Sequence, residues 1–543
     1  MPALSARGVV KSFGGRAVLA GVDLEVAAGA RIGILGPNGG GKSTLLRILA
    51  GDEHPDAGVV TRRRELVSAH LPQMVGGDAR DALATVLGAR PELASTEEAL
   101  AAVERRLAEP ATAGDLRALE RALAQQERLL ARWAVIGGDR AEGEARGLLR
   151  SLGLGDHDVA TPTRDLSGGQ RKLVALAACL ARSPELLLLD EPEAHLDMAR
   201  RGQLERLVDG FDGAVVLVSH DRYLLDECVE EVAELDRGRV RRWPGNYSAY
   251  TLARRLELER QQRQWVTQRK EIARLEAAIR RFEHWAHIRV NERAARQARV
   301  KRRQIDTLET VERPVFERRR MALQLRGQQR GGERVVALEG VDLGFADEPV
   351  LLDVDLEVTR GERAGVIGAN GTGKSVLLRA LTGTLEPQAG RRWIGPSITL
   401  GYLSQTAAEL PDEVSVIDAV RTGRSLAEEE AVRLLMGFLF DYEQARRPVA
   451  TLSGGERTRL AFLLLMLDQP NCLVLDEPTN HLDVESIEIL EDQLERFDGT
   501  VVAVSHDRYF LDRIADRIVH VADGSVRSYE GGWSANADRL AAA

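Results

Sequence analysis

Gly36-Pro37-Asn38-Gly39-Gly40-Gly41-Lys42-Ser43 decides how this chain is read. An apolar run, Arg31–Leu35, precedes it and a leucine-rich stretch, 44–49, succeeds it. That strand–loop–helix context turns a glycine-rich pattern into a phosphate site. Gly36, Gly39 and Gly41 let backbone N–H groups, with Asn38 among them, close around phosphate oxygens. Lys42 brings positive charge to the terminal phosphates, Ser43 offers a hydroxyl to Mg²⁺, and Thr44 adds a second hydroxyl. The same element returns as Gly368-Ala369-Asn370-Gly371-Thr372-Gly373-Lys374-Ser375 after Arg363–Ile367.

A glycine-rich turn with an incidental lysine is the bland alternative, and the residues downstream of each loop remove it. Lys42 is 31 residues before Gln73, and Lys374 is 31 before Gln405. Leu166-Ser167-Gly168-Gly169-Gln170 and Leu452-Ser453-Gly454-Gly455-Glu456 each place their serine 23 residues before an Asp-Glu pair, Asp190-Glu191 and Asp476-Glu477. His220 and His506 stand 30 residues after those aspartates. The aspartates end continuous apolar runs, 186–189 and 473–475, as parallel strands covered on both faces read. A carboxylate there is costly unless it serves a metal, so Asp190 and Asp476 join Ser43, Ser375, Gln73 and Gln405 as candidate Mg²⁺ ligands. Glu191 and Glu477 suit the orientation or deprotonation of an attacking water. A lone histidine is more often structural, but at matched distances His220 and His506 read as contacts to a terminal phosphate.

With Leu-Ser-Gly-Gly in both halves, the chain resembles the ATP-binding cassette superfamily. The resemblance implies that two cassettes sandwich two ATP molecules head to tail. One site would use Lys42, Ser43, Gln73, Asp190, Glu191 and His220 with Ser453 and Gly455 of the other half. Its partner would use Lys374, Ser375, Gln405, Asp476, Glu477 and His506 with Ser167 and Gly169. Phe13 and Phe345, both 29 residues before a loop lysine, match the position that stacks on adenine in that family.

The expected fold is therefore α/β, with two P-loop cassette domains carrying helical subdomains and joined by an α-helical hairpin. Residues 1–240 make the first cassette, 241–332 the linker and 333–543 the second cassette. Gln73 to Ser167 spans 94 positions against 48 for Gln405 to Ser453, an excess read as a helical pair at about 92–135. In the linker, Ile272, Leu275, Ile279, Phe282 and Ala286 form a heptad-type seam. Val300, Ile305, Leu308 and Val311 would face it after a turn near 286–291, in an arm reaching roughly 60 Å.

Charge is concentrated in that linker. Residues 254–313 hold 17 Lys/Arg against 9 Asp/Glu, a net of +8 in a chain of −9, which leaves −17 elsewhere. Arg289, Arg293, Arg296, Arg299 and Arg303 step along one helical face, as a surface for RNA phosphates would. The three cysteines form no CxxC pair, so a zinc or disulfide framework is not expected. No apolar run approaches the roughly 20 residues that span a bilayer.

Tandem cassettes, a charged helical linker and Asn480-His481-Leu482-Asp483 after Asp476-Glu477-Pro478-Thr479 together resemble the ABC-F family. That resemblance implies a cytoplasmic ATPase using ATP and Mg²⁺. Its linker would meet ribosomal and transfer RNA at the E site and approach the P-site tRNA, modulating translation or displacing an antibiotic. A fused importer ATPase would want a short plain linker, and DNA is not an expected partner. Two departures suggest unequal sites: Glu193-Ala194 where Thr-Asn is usual, and Val376 in place of a hydroxyl residue.

Overall fold

The computed structural model describes residues 2–108, 116–289, 292–307, 332–345, 348–404, 410–480 and 482–542. These residues divide into two units, one within 1–247, 325–413 and 449–543, the other within 248–324 and 414–448.

In the first unit, each half of the chain repeats one pair of sheets. A three-stranded antiparallel sheet sets Leu4–Phe13 between Arg16–Val26 and Ala57–Arg62. Its six-stranded neighbour runs Ser68–Leu71, Leu186–Asp190, Ala214–Val218, Arg31–Leu35, Glu231–Asp236, Arg239–Pro244, and only the last strand is antiparallel. The second half repeats this order as Leu400–Leu403, Cys472–Asp476, Thr500–Val504, Arg363–Ile367, Arg517–Ala522, Ser525–Glu530. Every residue of Leu186–Asp190, Ala214–Val218, Cys472–Asp476 and Thr500–Val504 is buried. Strands enclosed on both faces have no polar side to alternate with, hence their continuous Leu and Val. Both P-loops therefore start from an interior strand, and both Asp-Glu pairs sit at the end of its neighbour but one.

The region around 92–135 holds two packed helices, Pro91–Ala108 and Leu116–Val135. In the second half, the shorter helices Val416–Arg421, Glu428–Gly437 and Tyr442–Ala445 belong to the second unit.

The linker continues from a single 43-residue helix, Tyr247–Arg289, into Glu292–Asp306. Arg302 bonds Glu283 at 2.6 Å across the two helices. Leu275 and Ile279 are buried and Ile272 and Phe282 partly so. Val300, expected to face this seam, is exposed, and Ala298 is buried in its place. Two long apolar side chains on one helix leave room only for a small one where the partner approaches closely, so Val300 turns outward. Leu308 and Val311 lie outside the described residues.

From the Ser-Gly-Gly motifs onward, residues of the two halves correspond at an offset of 286, the interval from Asp190 to Asp476. In the first unit, their contacts obey that correspondence. Arg222 Nη1 donates to Glu491 Oε2 at 3.0 Å, and Arg508 Nη1 donates to Glu205 Oε2 at 3.0 Å. Each pair is the other's image. Tyr223 and Tyr509, also counterparts, meet edge-on with ring centroids 5.6 Å apart. The halves thus oppose each other about a local approximate two-fold, the self-complementary geometry of an isologous interface. Arg222 also bonds Asp507 at 3.0 Å, and with Glu491 wholly buried this is the pairing that cannot be lost singly. Arg222→Met strips Asp507 of its arginine and leaves the buried Glu491 with Arg513 alone, and should cost about 3–5 kcal/mol. The same change at the exposed Arg7, paired with Glu25, should cost less than about 1 kcal/mol. Thermal unfolding of the two variants side by side measures the difference.

Candidate nucleotide sites

Both P-loops are shaped by glycine. Gly41 and Gly373 hold φ values of 100° and 99° at the heads of helices Lys42–Ala50 and Lys374–Thr382, a conformation that favours glycine. A β-carbon on them would lie 2.6 Å from Val18 Cγ1 and 2.8 Å from Val350 Cγ1. On Gly36 or Gly368 it would collide with the Leu235 or Val521 carbonyl oxygen. Lys42 Nζ donates to the Gly36 and Pro37 carbonyls at 2.8 and 3.1 Å, and Lys374 Nζ to those of Gly368 and Ala369 at 2.9 and 2.8 Å. Burial pulls both ammonium groups below the usual lysine range. Asp483, Glu191 and Asp190 oppose that shift at Lys42, and Glu477, Asp197 and Asp476 at Lys374.

Asp190 and Asp476 are pushed up by burial, each offset by a hydrogen bond from the P-loop serine, Ser43 or Ser375. Asp190 Oδ1 is buried without a hydrogen-bond partner. A serine hydroxyl beside a carboxylate with an oxygen to spare is a hard donor set that fits a magnesium ion. Glu191 and Glu477 come next in the left-handed region, φ 45° and 50°. Their backbone N–H groups donate to Val218 and Val504 at 2.8 and 3.0 Å, fixing this turn at the strand end. Non-glycine residues held there carry strain that surrounding structure must sustain. His220 Nε2 lies 3.5 Å from Glu191 Oε1, and His506 Nε2 lies 3.3 Å from Glu477 Oε1, contacts without hydrogen-bond alignment.

Gln73 hydrogen-bonds Glu191, whereas Gln405 lies outside the described residues. Phe345 is half exposed and lines a cavity of about 430 Å³ with Asn370, Gly373, Lys374, Ser375, Asp476 and Glu477. Val376 closes the same cavity with an apolar wall. Phe13, half exposed, has Lys11 Nζ 5.5 Å from its ring centroid.

Each P-loop also meets the opposite half. Asn38 N–H donates to Asp483 Oδ2 at 3.1 Å, and Asn370 N–H to Asp197 Oδ2 at 3.4 Å. Asn370 Nδ2 adds a bond to the His195 carbonyl at 3.2 Å. Asp197 and Asp483 were missed as site residues. The signal was present, since each stands seven residues after its strand-end aspartate and caps the next helix. Ser167 and Ser453 cap the 14-residue helices Gly168–Ala181 and Gly454–Leu467, and helix N-termini attract phosphate. Gly169 packs against the His195 carbonyl, where a β-carbon would stand 2.6 Å away. Lys172 was also missed: its Nζ donates to the Gln73 and Asp190 carbonyls at 2.9 and 3.0 Å, and its counterpart is Thr458.

The halves differ where Glu193 replaces a threonine. Glu193 is buried, and its Oε1 accepts from Ser219 Oγ at 2.6 Å and from the N–H groups of His220 and Asp221 at 2.9 and 3.3 Å. Its counterpart Thr479 reaches Ser505 Oγ at 3.3 Å, and the His506 N–H turns instead to Glu477 Oε2 at 3.3 Å. Glu477 is accordingly drawn inward, and burial pushes its carboxyl up to about 7 against the pull of Arg201 and Lys374. Burial acts on Glu191 too, but contacts with His220, Gln73 and Lys42 outweigh it and hold that carboxyl at about 2.

Two P-loop cassettes in one chain, each bringing an Asp-Glu pair and a histidine to its loop, define a tandem ATP-binding cassette ATPase. Known proteins agree. The family model described as ABC transporter matches residues 19–194 and 351–480, and a second model of that description matches 233–325. The chain is 35% identical over 525 residues to "Putative ATP-binding protein YdiF" of Bacillus subtilis, covering 96% of this chain and 80% of that protein. "Energy-dependent translational throttle protein EttA" of Haemophilus influenzae is 34% identical over 542 residues, 96% of this chain and 92% of the relative. "ABC transporter F family member 5" of Arabidopsis thaliana is 33% identical over 532 residues, 96% and 75%. The chain belongs to the ABC-F family of tandem ATP-binding cassette proteins. Among solved structures, "RNase-L Inhibitor" shares the fold at a TM-score of 0.62 and 19% identity, covering 99% of this chain and 92% of its own.

Gly36→Val and Gly368→Val should each remove one bound ATP per molecule, the other site persisting, as equilibrium dialysis of the folded variants would count. Replacing both Glu191 and Glu477 by Gln should slow steady-state hydrolysis by about 10²–10⁴-fold while ATP still binds.

Proposed function

We propose that this chain is a cytoplasmic ATPase that closes its two cassettes around ATP while bound to the ribosome, with the linker arm lying against RNA. The observation that carries the reading is the helix Glu292–Asp306, on which Arg293, Arg296, Arg299 and Arg303 are all exposed. Such a stripe in an otherwise acidic chain has the charge and fork geometry for phosphate and base contacts. Arg289, the last residue of the preceding helix, belongs to the same proposed contact set. The long helix from Tyr247 to Arg289 spans about 64 Å at 1.5 Å per residue. The relative named as a translational throttle supports the same partner, as does an archaeal ribosome-bound protein of like fold ("Model of ribosome-bound archaeal Pelota and ABCE1", TM-score 0.58, 19% identity, 98% and 80% covered). Among the described residues no helix is long and apolar enough to cross a membrane, and the linker exceeds what an importer subunit needs. The E site, with the arm directed at P-site tRNA, is the docking place inferred from the family.

In this reading, Lys42 and Lys374 hold the terminal phosphates within their loops, and Phe13 and Phe345 offer rings to adenine. Ser43, Gln73 and Asp190 hold Mg²⁺ in one site, and Ser375, Gln405 and Asp476 in the other. The cation, when bound, neutralises phosphate charge as it develops. Glu191 and Glu477 take the attacking water, with His220 and His506 beside them reaching the terminal phosphate. Ser453 and Gly455 complete the first site, and Ser167 and Gly169 the second, because Asn38 and Asn370 already touch the opposing halves. Closure thus needs ATP on both P-loops, and hydrolysis releases it.

The Glu191→Gln, Glu477→Gln double variant should co-sediment with ribosomes in ATP and slow growth; its staying in the soluble fractions rejects the ribosomal role. Reversing Arg293, Arg296 and Arg303 to Glu should weaken that association, reduce its log–log salt slope by roughly 2–3, and spare ATP binding.

A further inference from the structure

One cross-link between the ATP sites has no counterpart. Arg201 lies on the helix Met198–Asp209 of the first half. The residue at the offset of 286 is Ile487, buried in the helix Val484–Glu495 and without a polar side-chain atom. Arg201 Nε donates to the Leu196 carbonyl at 3.1 Å, and Nη1 is shared between Asp221 Oδ2 at 2.9 Å and the carbonyl oxygen of His506 at 3.2 Å. One guanidinium therefore holds together the residue after His220 and the backbone of His506.

The near end of this link is itself anchored. Asp221 Oδ1 caps the helix Arg222–Cys228, accepting from Tyr223 and Leu224 N–H at 3.0 and 3.2 Å. The turn 219–221 is tied down by Glu193 Oε1 through Ser219 Oγ, His220 N–H and Asp221 N–H. A continuous line of hydrogen bonds thus runs from Glu193, through that turn, to Asp221, Arg201 and the His506 carbonyl. In the second half, Thr479 stands in place of Glu193 and Ile487 in place of Arg201. A hydroxyl and a hydrocarbon cannot rebuild the line in the opposite sense.

We propose that Arg201 is a trans-acting positioning residue for the second ATP site: it couples the His506 backbone to the His220 turn of the first. His506 Nε2 is 3.3 Å from Glu477, so a carbonyl that moves with Arg201 carries the imidazole toward or away from the second site's glutamate. Arginine suits the task because its planar fork serves several acceptors from one rigid group, where an ammonium acts as a point charge. The link is one-sided: it ties the second site's histidine backbone to a turn that Glu193 already holds in the first, and Ile487 offers no donor to tie the His220 backbone in return.

The proposal rests on the two-site ATPase reading, and one experiment separates their failures. Full-length protein is loaded with azido-ATP labelled at the α-phosphate, photolysed and cut in the linker. The ADP-to-ATP ratio is then read in each cassette. In Arg201→Leu the ADP fraction of the second cassette should fall about tenfold relative to that of the first. Arg201→Lys keeps a cation beside Asp221 and so protects folding. It should show the same bias at about threefold, because one ammonium reproduces the forked contact only in part. An equal fall in both cassettes, or an unchanged second cassette in either variant, overturns the positioning role. If neither cassette of the unmodified protein takes up label, the nucleotide-site reading fails instead.

Discussion

A charge enclosed by protein must meet an opposite charge or an oriented dipole, and this constraint organises the first unit. The interior strands that give each half its core end on carboxylates, Asp190 and Asp476. Around them stand the groups that make such ends tolerable: P-loop serine hydroxyls and buried lysines, Lys172 beside Asp190 and Lys374 beside Asp476. Removing two ionised groups from water costs several kcal/mol each before their attraction returns any of it. A fold that gathers so many is selected for what they do together. The same constraint explains why the interface is narrow in its chemistry. Arg222 with Glu491 and Arg508 with Glu205 leave little tolerance for neutral replacements on one side alone.

The two halves satisfy that constraint differently. Cassette 1 places a glutamate among the N–H groups of its histidine turn, and cassette 2 lends them its own strand-end glutamate. As a result Glu191 stays ionised and partly open, while Glu477 is enclosed and pushed up toward neutrality by burial. Two sites with the same motif spacing thus differ in the electrostatics of their strand-end glutamates. Spacing reports where groups sit along the chain; the charge they carry depends on which neighbours have claimed the surrounding donors.

Much of the fold was legible because its signals are local. Glycines before Lys-Ser, unbroken Leu and Val before Asp-Glu, and Ser-Gly-Gly at a helix head each have one physical reading. Their repetition at equal intervals made the duplication plain. Less legible was anything that depends on side chains from distant segments. Glu193 was noticed as a departure, yet nothing in the string says that three donors of the 219–221 turn would converge on it. Arg201 looked like one basic residue among several in Met198–Asp209. Asp197 and Asp483 stand at matched distances from their strand-end aspartates, yet nothing in the string sets each against the other half's P-loop. In the linker, heptad steps identified Leu275 and Ile279, but choosing Val300 over Ala298 favoured hydrophobicity over size, and close helix approach rewards the smaller residue.

The mirrored contacts also carry a statement about ancestry. Arg222 with Glu491 and Arg508 with Glu205 are one bond drawn twice, and Tyr223 against Tyr509 is a residue touching its own image. These are the marks of a surface first shaped between identical subunits. A homodimer, however, must repeat every contact on both sides of its axis. The Arg201 link, answered by an isoleucine, breaks that rule. Covalent fusion gave this molecule a distinction that no pair of identical chains can hold: a first site and a second.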